Sequence, residues 1–466
     1  MTAWETVVGL EVHCELATAT KLFCGCRNEF GAEPNTHVCP TCLGLPGSLP
    51  VVNHRAVELA MRIGAALNCE IRPSVFHRKN YFYPDMPKDY QVSQYDQPIN
   101  VAGYLDLPDG SRVGIERAHI EEDTGKTTHA GETGRIHSAT YALVDYNRAG
   151  VPLVEIVSRP DISGADQARA YVAELRAILI ATGASDARME EGSMRVDANV
   201  SVRRPGQPLG TRAEIKNLNS VRSLGRAVEY EARRQVALLE AGQAVVQETR
   251  HWNEDDGRTS SMRSKEEAED YRYFPEPDLV PLEPSAEWQG AVRAAIPALP
   301  AARRASLAAA AGVAPHEVAI VVEAGLDGLV SEALAAGIDP RLALVRAANE
   351  VAGRESAPDP AAFVATLRME QDGALTATQA KQVLAQVLNG GDPAAAARDL
   401  GFEALEAGSL ASTVDEVIAA NPGEWDRYRE GEDKLTGFFV GKVMAATSGK
   451  ADGKAVTALL RERRGS

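Results

Sequence analysis

Apolar and polar residues alternate one by one through "GLEVHCEL" (residues 9–16). Leu10, Val12, Cys14 and Leu16 fall on one side, Glu11, His13 and Glu15 on the other. A period of two predicts a strand with one buried face. "SMRVDANVSVR" repeats the pattern, setting Met194, Val196, Ala198, Val200 and Val202 against Arg195, Asp197, Asn199 and Ser201. "AEIKNL" and "VPLVEIV" read as further strands, the second carrying Glu155 on the face of Leu153 and Val157. The period lengthens to that of a helix at 165–182, around Tyr171, Leu175, Ile178 and Leu179, and again at 220–241. Strands grouped with a few helices, without strict strand–helix alternation, predict an α+β domain. The proline- and aromatic-rich "DYRYFPEPDLVPLEP" (270–284) closes that segment. From 291 the texture is Ala, Leu, Val, Glu and Arg, broken by "GLDG", "AGIDP" and "SAPDP", which predicts short helices. The expected domains are 1–290, 291–405 and 406–466.

At 466 residues the chain has room for two or three domains. Hydrophobic residues at 44% and charged residues at 24% supply a sizeable core. No apolar run reaches the roughly eighteen residues of a spanning helix, so no membrane role is expected. The opening "MTAWETVVGLEV" has neither a basic n-region nor an apolar signal core, which makes the cytoplasm the expected location. A net charge of −16 excludes a surface that binds nucleic acid over its whole area, but not a local basic site. Residues 431–466 carry such a surplus: Lys434, Lys442, Lys450, Lys454, Arg461, Arg463 and Arg464 against four acids.

All six cysteines precede residue 70. "CGCRNEFGAEPNTHVCPTC" gives Cys24 and Cys26, twelve intervening residues, then Cys39 and Cys42. Two close pairs joined by a loop can close a tetrahedral zinc site with no open position, a staple rather than a catalyst. Four idle buried thiols are the alternative. "EEDTGKTTH" imitates a phosphate loop through Gly125–Thr127, but Ile120 stands where such a loop needs glycine. Its acids, Glu121 to Asp123, would meet a phosphate only through a bridging cation. "HRKNYFYPDMPKDYQVSQYDQPI" (77–99) interleaves Arg78, Lys79 and Lys88 with Tyr81, Phe82, Tyr83, Tyr90 and Tyr95, a mixture that can stack bases and hold phosphates or form a packed hairpin. Taken singly, each carboxylate on these strands is either a solvated position or a ligand. Two carboxylates about 4 Å apart repel by roughly 4 kcal/mol at an effective dielectric near 20. Several polar strand faces meeting in one cleft would therefore call for a divalent cation, and oxygen ligands with one imidazole suit Mg²⁺ or Mn²⁺. Phosphoryl transfer without a P-loop needs that arrangement.

"GLEVHCEL", "RKNYFYPDMPKDYQVSQYDQPI", "HIEEDTGK", "DYNRAGVPLVEIVSRPDI", "MEEGSMRVDANVSV", "EIKNLNS" and "DYRYFPEPDLVPL" resemble, in order, the blocks of the B-subunit family of aspartyl/glutamyl-tRNA amidotransferases. The resemblance runs from residue 4 to 284 and resumes at "GFFVGKVM". It implies a glutamine synthetase- and guanido kinase-like antiparallel-sheet domain, then an all-α YqeY-like helical region and a tail that contacts tRNA. The implied reaction is ATP-dependent phosphorylation of the side-chain carboxylate of Glu-tRNA(Gln) and/or Asp-tRNA(Asn), followed by amidation. The ammonia would come from a separate amidase (the A component of such complexes), strapped to the B component by a small third one, C. On the same resemblance Glu11, His13, Glu122 and Glu155 match magnesium ligands. Glu190 or Glu191 with Asp197 match a further metal or nucleotide position, and Lys79 and Lys88 match bases near the ammonia entry and the acyl phosphate. Glu122 and Tyr81 would act at the same centre, with Tyr83 beside them. Cys24, Cys26, Cys39 and Cys42 match a zinc motif found in some members. The alanine-rich stretch 295–405 and the tail run "ATSGKADGK" depart from the family pattern. Two other readings compete. A free-standing small-molecule ligase leaves the basic tail without a purpose, and a zinc-stapled RNA scaffold leaves Glu11, His13, Glu122 and Glu155 without a shared role.

Overall fold

The computed structural model describes residues 4–130, 139–262, 271–354, 356–388, 390–402, 407–447, 451 and 453–465. Lys450, noted above, lies outside them. The chain divides into two compact units, Met1–Pro300 and Ala301–Ser466. The first is built on one large sheet. Its strands are β1 (Glu5–Glu15), β2 (Glu70–Ile71), β3 (Val75–Asn80), β4 (Tyr90–Gln97), β5 (Asn100–Asp106), β6 (Arg112–Glu122), β9 (Pro152–Ser158), β10 (Met194–Arg203), β11 (Ala213–Leu218), β12 (Thr249–Asn253), β13 (Arg258–Ser261) and β14 (Phe274–Pro275). β7 (Lys126–Ala130) and β8 (Tyr141–Asp145) form a separate hairpin. The spatial order is β13-β12-β11-β10-β1-β9-β6-β4-β3-β14, with β5 beside β6 and β2 beside β5.

The sheet is mixed, not wholly antiparallel. β11 and β12 run parallel because the helix between them, α3 (Val221–Glu240), carries the chain back to the start before it re-enters. Ser220 caps that helix by accepting from Ser223 N at 3.0 Å. The helices expected at 165–182 and 220–241 form as α2 (Ala165–Ala181) and α3, and α1 (His54–Ala66) is capped by Asn53. α4 (Ala286–Ala294) closes the unit. Along β1 the even residues Val8, Leu10, Val12 and Cys14 are fully buried, in one cluster with Leu59 and Met61 of α1, Tyr171 and Leu175 of α2, and Leu224 and Val228 of α3. The odd residues Glu11, His13 and Glu15 therefore project from the face without helices.

The second unit is helical in its described residues: α5 (Pro300–Ala311), α6 (Ala319–Glu323), α7 (Asp327–Ala335), α8 (Pro340–Arg346), α9 (Pro360–Gln371), α10 (Ala377–Val387), α11 (Pro393–Asp399), α12 (Ala407–Ala420), α13 (Pro422–Arg429), α14 (Leu435–Ala446) and α15 (Gly453–Gly465). Proline sits in the first turn of α8, α9, α11 and α13, where its missing N–H costs nothing. One apolar cluster gathers Leu307, Val330, Leu344 and Phe363, and another gathers Val414, Tyr428, Phe439, Val456 and Leu460. Among the described residues no single helix is long and apolar enough to cross a membrane.

Candidate functional site

Strand register assembles the open face. His13 of β1 lies directly opposite Glu155 of β9, which lies opposite His119 of β6, and Glu121 follows two residues along β6 on the same face. His13 Nε2 stands 3.6 Å from Glu121 Oε1, and His119 Nε2 stands 3.2 Å from Glu155 Oε2 and 3.9 Å from Glu121 Oε2. One ligand atom each from His13, Glu121 and Glu155 fits within a 4.8 Å span. Glu11 adjoins them, its Oε1 accepting from Asn199 Nδ2 at 2.9 Å. Burial and the charge of Glu155 push the Glu11 and Glu121 carboxyls up. Burial acts on Glu155 too, but His119, His13 and Arg117 outweigh it and hold that carboxyl well below the usual range. His119 is fully buried; its Nε2 faces Glu155 and Glu121, and its Nδ1 has no hydrogen-bond partner. Crowded carboxylates with a histidine ring among them make a donor set that suits a divalent cation such as Mg²⁺ or Mn²⁺.

Glu122, expected among these ligands, does not join them. It follows Glu121 directly, so its side chain leaves on the opposite face of the sheet. There its Oε1 accepts from Lys88 Nζ at 2.5 Å and from Val92 N at 2.9 Å. Lys88 is thereby also turned away from the cluster. Lys79 stays on the open face: its Nζ lies 4.6 Å over the Tyr271 ring, and its charge offsets part of that on Glu121. Tyr81 stacks on Tyr83 at 4.6 Å in the loop between β3 and β4. Asp197 shares the open face but is ion-paired to Lys216 at 2.8 Å, and Lys216 to Glu214 at 2.9 Å. Glu190 and Glu191 lie on an exposed turn before β10, Glu191 held by Arg188 at 2.7 Å. The sequence reading missed Glu121 and His119. Alternation within "RAHIEE" pairs those two on one face, but only relative to Ala118 and Ile120.

Beside Glu11 a cavity of about 450 Å³ opens between β1, β9, β10 and residues 204–212, walled by Val7, Gly9, Val157, Asn199, Ser201 and Arg212. A side chain at Gly210 would put its Cβ 2.2 Å from Val202 O, so only glycine lets this wall lie on β10. A wider groove of about 1120 Å³ lies at the strand ends around Trp4. Its Arg112, Arg159 and Arg203 are already paired with Asp106, Glu116 and Glu5, so it offers a phosphate little.

The four cysteines converge before α1. Cys42 Sγ is 3.6 Å from Cys24, 3.7 Å from Cys39 and 3.8 Å from Cys26. Tetrahedral zinc with bonds of about 2.3 Å would set its sulfurs about 3.8 Å apart, so the donor set fits. Cys24 as hydrogen-bond donor holds the Cys42 thiol down to about 4, and burial pushes Cys26 up to about 11. Lys21, fully buried, points Nζ at Cys42 Sγ from 3.5 Å, a countercharge for a thiolate cluster. Cys14 and Cys69 are core residues.

Residues 6–290 match the family model described as the GatB/GatE catalytic domain, and residues 342–463 the one described as the GatB domain. Three curated relatives are named as the B subunit of aspartyl/glutamyl-tRNA(Asn/Gln) amidotransferase. That of Frankia casuarinae is 51% identical, over 99% of this chain and 96% of its own length. That of Salinispora tropica is 52% identical, over 99% and 97%. That of Mycobacterium sp. (strain KMS) is 53% identical, over 98% and 95%. The chain belongs to the family of aspartyl/glutamyl-tRNA(Asn/Gln) amidotransferase B subunits.

Proposed function

We propose that this chain is the part of a tRNA-dependent amidotransferase that activates the side-chain carboxylate of Glu-tRNA(Gln) and/or Asp-tRNA(Asn) with ATP and then completes the amide. It is a carbon–nitrogen ligase that works in the cytoplasm, in a complex with the amidase component and the small third component. The single observation that carries the active-site reading is the convergence of His13, Glu121 and Glu155 within 4.8 Å on an open sheet face, with Glu11 adjoining.

A carboxylate resists attack by ammonia because its leaving group would be oxide, and phosphorylation replaces that with phosphate. The cavity beside Glu11 receives the nucleotide, its polar wall of Asn199, Ser201 and Arg212 suiting ribose and phosphate. Glu11, His13, Glu121 and Glu155 would hold magnesium, which when bound neutralises charge on the transferring phosphoryl group. Lys79, on the same face, draws the acyl phosphate oxygens toward the cluster and orients the carbonyl for ammonia. Asp197 keeps Lys216 in place at the nucleotide side. Lys88 and Glu122 form a buried pair behind this face, and Tyr81, whose N–H donates to Asp89 O, shapes the loop that carries Lys88. Cys24, Cys26, Cys39 and Cys42 would hold a structural zinc, a role their closed donor set supports. A glutamine synthetase- or guanido kinase-like layout accords with phosphoryl transfer on the bare face of a largely antiparallel sheet. We further assign 291–405 to a helical domain and 406–466 to a tRNA-contacting tail, which the separate apolar cluster around Phe439 supports.

The test is release of ADP by the assembled complex without glutamine. ADP formation that requires both Mg²⁺ and misacylated tRNA is expected. Turnover with free glutamate and no tRNA would favour a small-molecule ligase instead.

A further inference from the structure

On the side of the ion cluster away from the nucleotide cavity, the open face carries a wall of aromatic rings. Tyr95 of β4 and Tyr273, just before β14, stack with ring centres 5.4 Å apart and planes 18° from parallel. Tyr271 meets Tyr273 edge-on at 5.9 Å. The Arg117 guanidinium lies 4.6 Å from the centre of the Tyr95 ring. Tyr95 in turn meets the His119 ring edge-on at 6.2 Å, so the wall abuts the cluster itself. The segment that presents Tyr273 is anchored: Asn80 Nδ2 donates to Tyr271 O at 2.8 Å, and Arg78 forks onto Glu276 at 2.7 and 2.8 Å.

Core packing does not account for this wall. Tyr95 is 48% exposed and lies outside the apolar core that α1, α2 and α3 bury. Arg117 has no ion-pair partner among the described residues, and its Nε is buried without a hydrogen bond. A partly exposed ring stack with a guanidinium that no carboxylate fixes in an ion pair is the kind of surface that receives a nucleobase and its backbone. Across the face the order is nucleotide cavity, ion cluster, aromatic wall. In phosphoryl transfer the cluster stands between donor and acceptor, and the cavity beside Glu11 is the donor's place, so the wall faces the acceptor.

We propose that Tyr95 and Tyr273, with Arg117, seat the terminal adenosine of the aminoacylated RNA, holding the side-chain carboxylate of the esterified amino acid over His13, Glu121 and Glu155. The assignment presupposes the phosphoryl transfer proposed above. Adenine has two sources here, ATP and the RNA end, and the kinetic constants separate them. In the assembled complex, Tyr95→Leu and Tyr273→Leu should raise KM for misacylated tRNA by about tenfold, the equivalent of one lost base stack. KM for ATP should stay within about twofold, and Tyr95→Phe and Tyr273→Phe should restore the tRNA value. A rise in KM for ATP alone, or in neither constant, overturns the assignment. If Tyr273→Leu fails to fold, the exposed Tyr95 carries the test. A second measurement needs no turnover: saturation-transfer NMR with the trinucleotide CCA. Transfer to the adenine protons in wild type and its loss in Tyr95→Leu support the seat, and no transfer in wild type overturns it. A wild-type complex that binds CCA in this way yet shows no tRNA-dependent ADP release would instead sink the reaction proposed above.

Discussion

Replacing Glu121 by glutamine separates two neighbours that sequence alone makes look alike. Glu121 belongs to the ion cluster, so Glu121→Gln should weaken divalent-metal binding by about 100-fold or more, while relief of its repulsion with Glu155 leaves stability unchanged or raised. Glu122→Gln should do the reverse. It breaks a buried pair with Lys88 and is expected to cost about 3–5 kcal/mol in denaturant unfolding, with metal affinity little changed. A metal-binding loss in Glu122→Gln and none in Glu121→Gln would contradict the face assignment. The sequence could not settle the matter because β6 changes phase. Val113 and Ile115 are buried at odd positions, Ala118 and Ile120 at even ones, and the register with β9 shifts between Ile115 and Arg117. A bulge adds one residue and turns every later side chain over. No parity carried from the start of the strand reaches "HIEED" correctly. β1 has no such break in the register that joins it to β10, and the polar face of "GLEVHCEL" was legible as it stood.

At the scale of elements, α3 is fastened to β12 and β13 by one buried acid. Glu231 is fully buried, bonded to Arg234 at 2.6 Å and to Gln235 at 2.9 Å, with Thr259 donating to it at 3.0 Å. Burial alone would raise its carboxyl, but these donors outweigh it and hold it below the usual range. A depressed carboxyl contributes stability above its unfolded pKa and loses it as pH falls through the folded value. Glu231→Gln should therefore cost about 2–4 kcal/mol near pH 7, and the gap to wild type should close below about pH 4. A gap that widens on acidification would contradict the sign. The cysteine loop gives a second element-level test. Cys26→Ser should lower bound zinc below one ion per chain, and hydrogen exchange should quicken across 24–42 while the β1 core stays protected. Unchanged zinc content would remove the staple. The spacing of these cysteines was readable from sequence because zinc geometry is local. The Lys21 countercharge was not, since nothing in "TKLF" marks a lysine that folds inward.

For the whole molecule, the division at Pro300 separates chemistry from the acidic, helical remainder. A chain ended at residue 300 keeps the cluster centred on β1, α1, α2 and α3 intact and should unfold cooperatively with its metal site preserved. It should lose most of its affinity for misacylated tRNA, and retained affinity would deny the second unit its role. Fold class and the texture change near 291 were visible from periodicity and composition. The parallel β11–β12 pair was not, because it depends on where a twenty-residue helix returns the chain.

The proposed transfer needs His13, Glu121 and Glu155 to bind one divalent cation between nucleotide and acceptor. Electron paramagnetic resonance of Mn²⁺ titrated into the full chain measures this directly. One site at the cluster is expected, present in wild type and in Glu122→Gln, lost in Glu121→Gln and His13→Gln, and displaced by Mg²⁺. A site unaffected by Glu121→Gln and His13→Gln, or no site in wild type with ATP present, would contradict it.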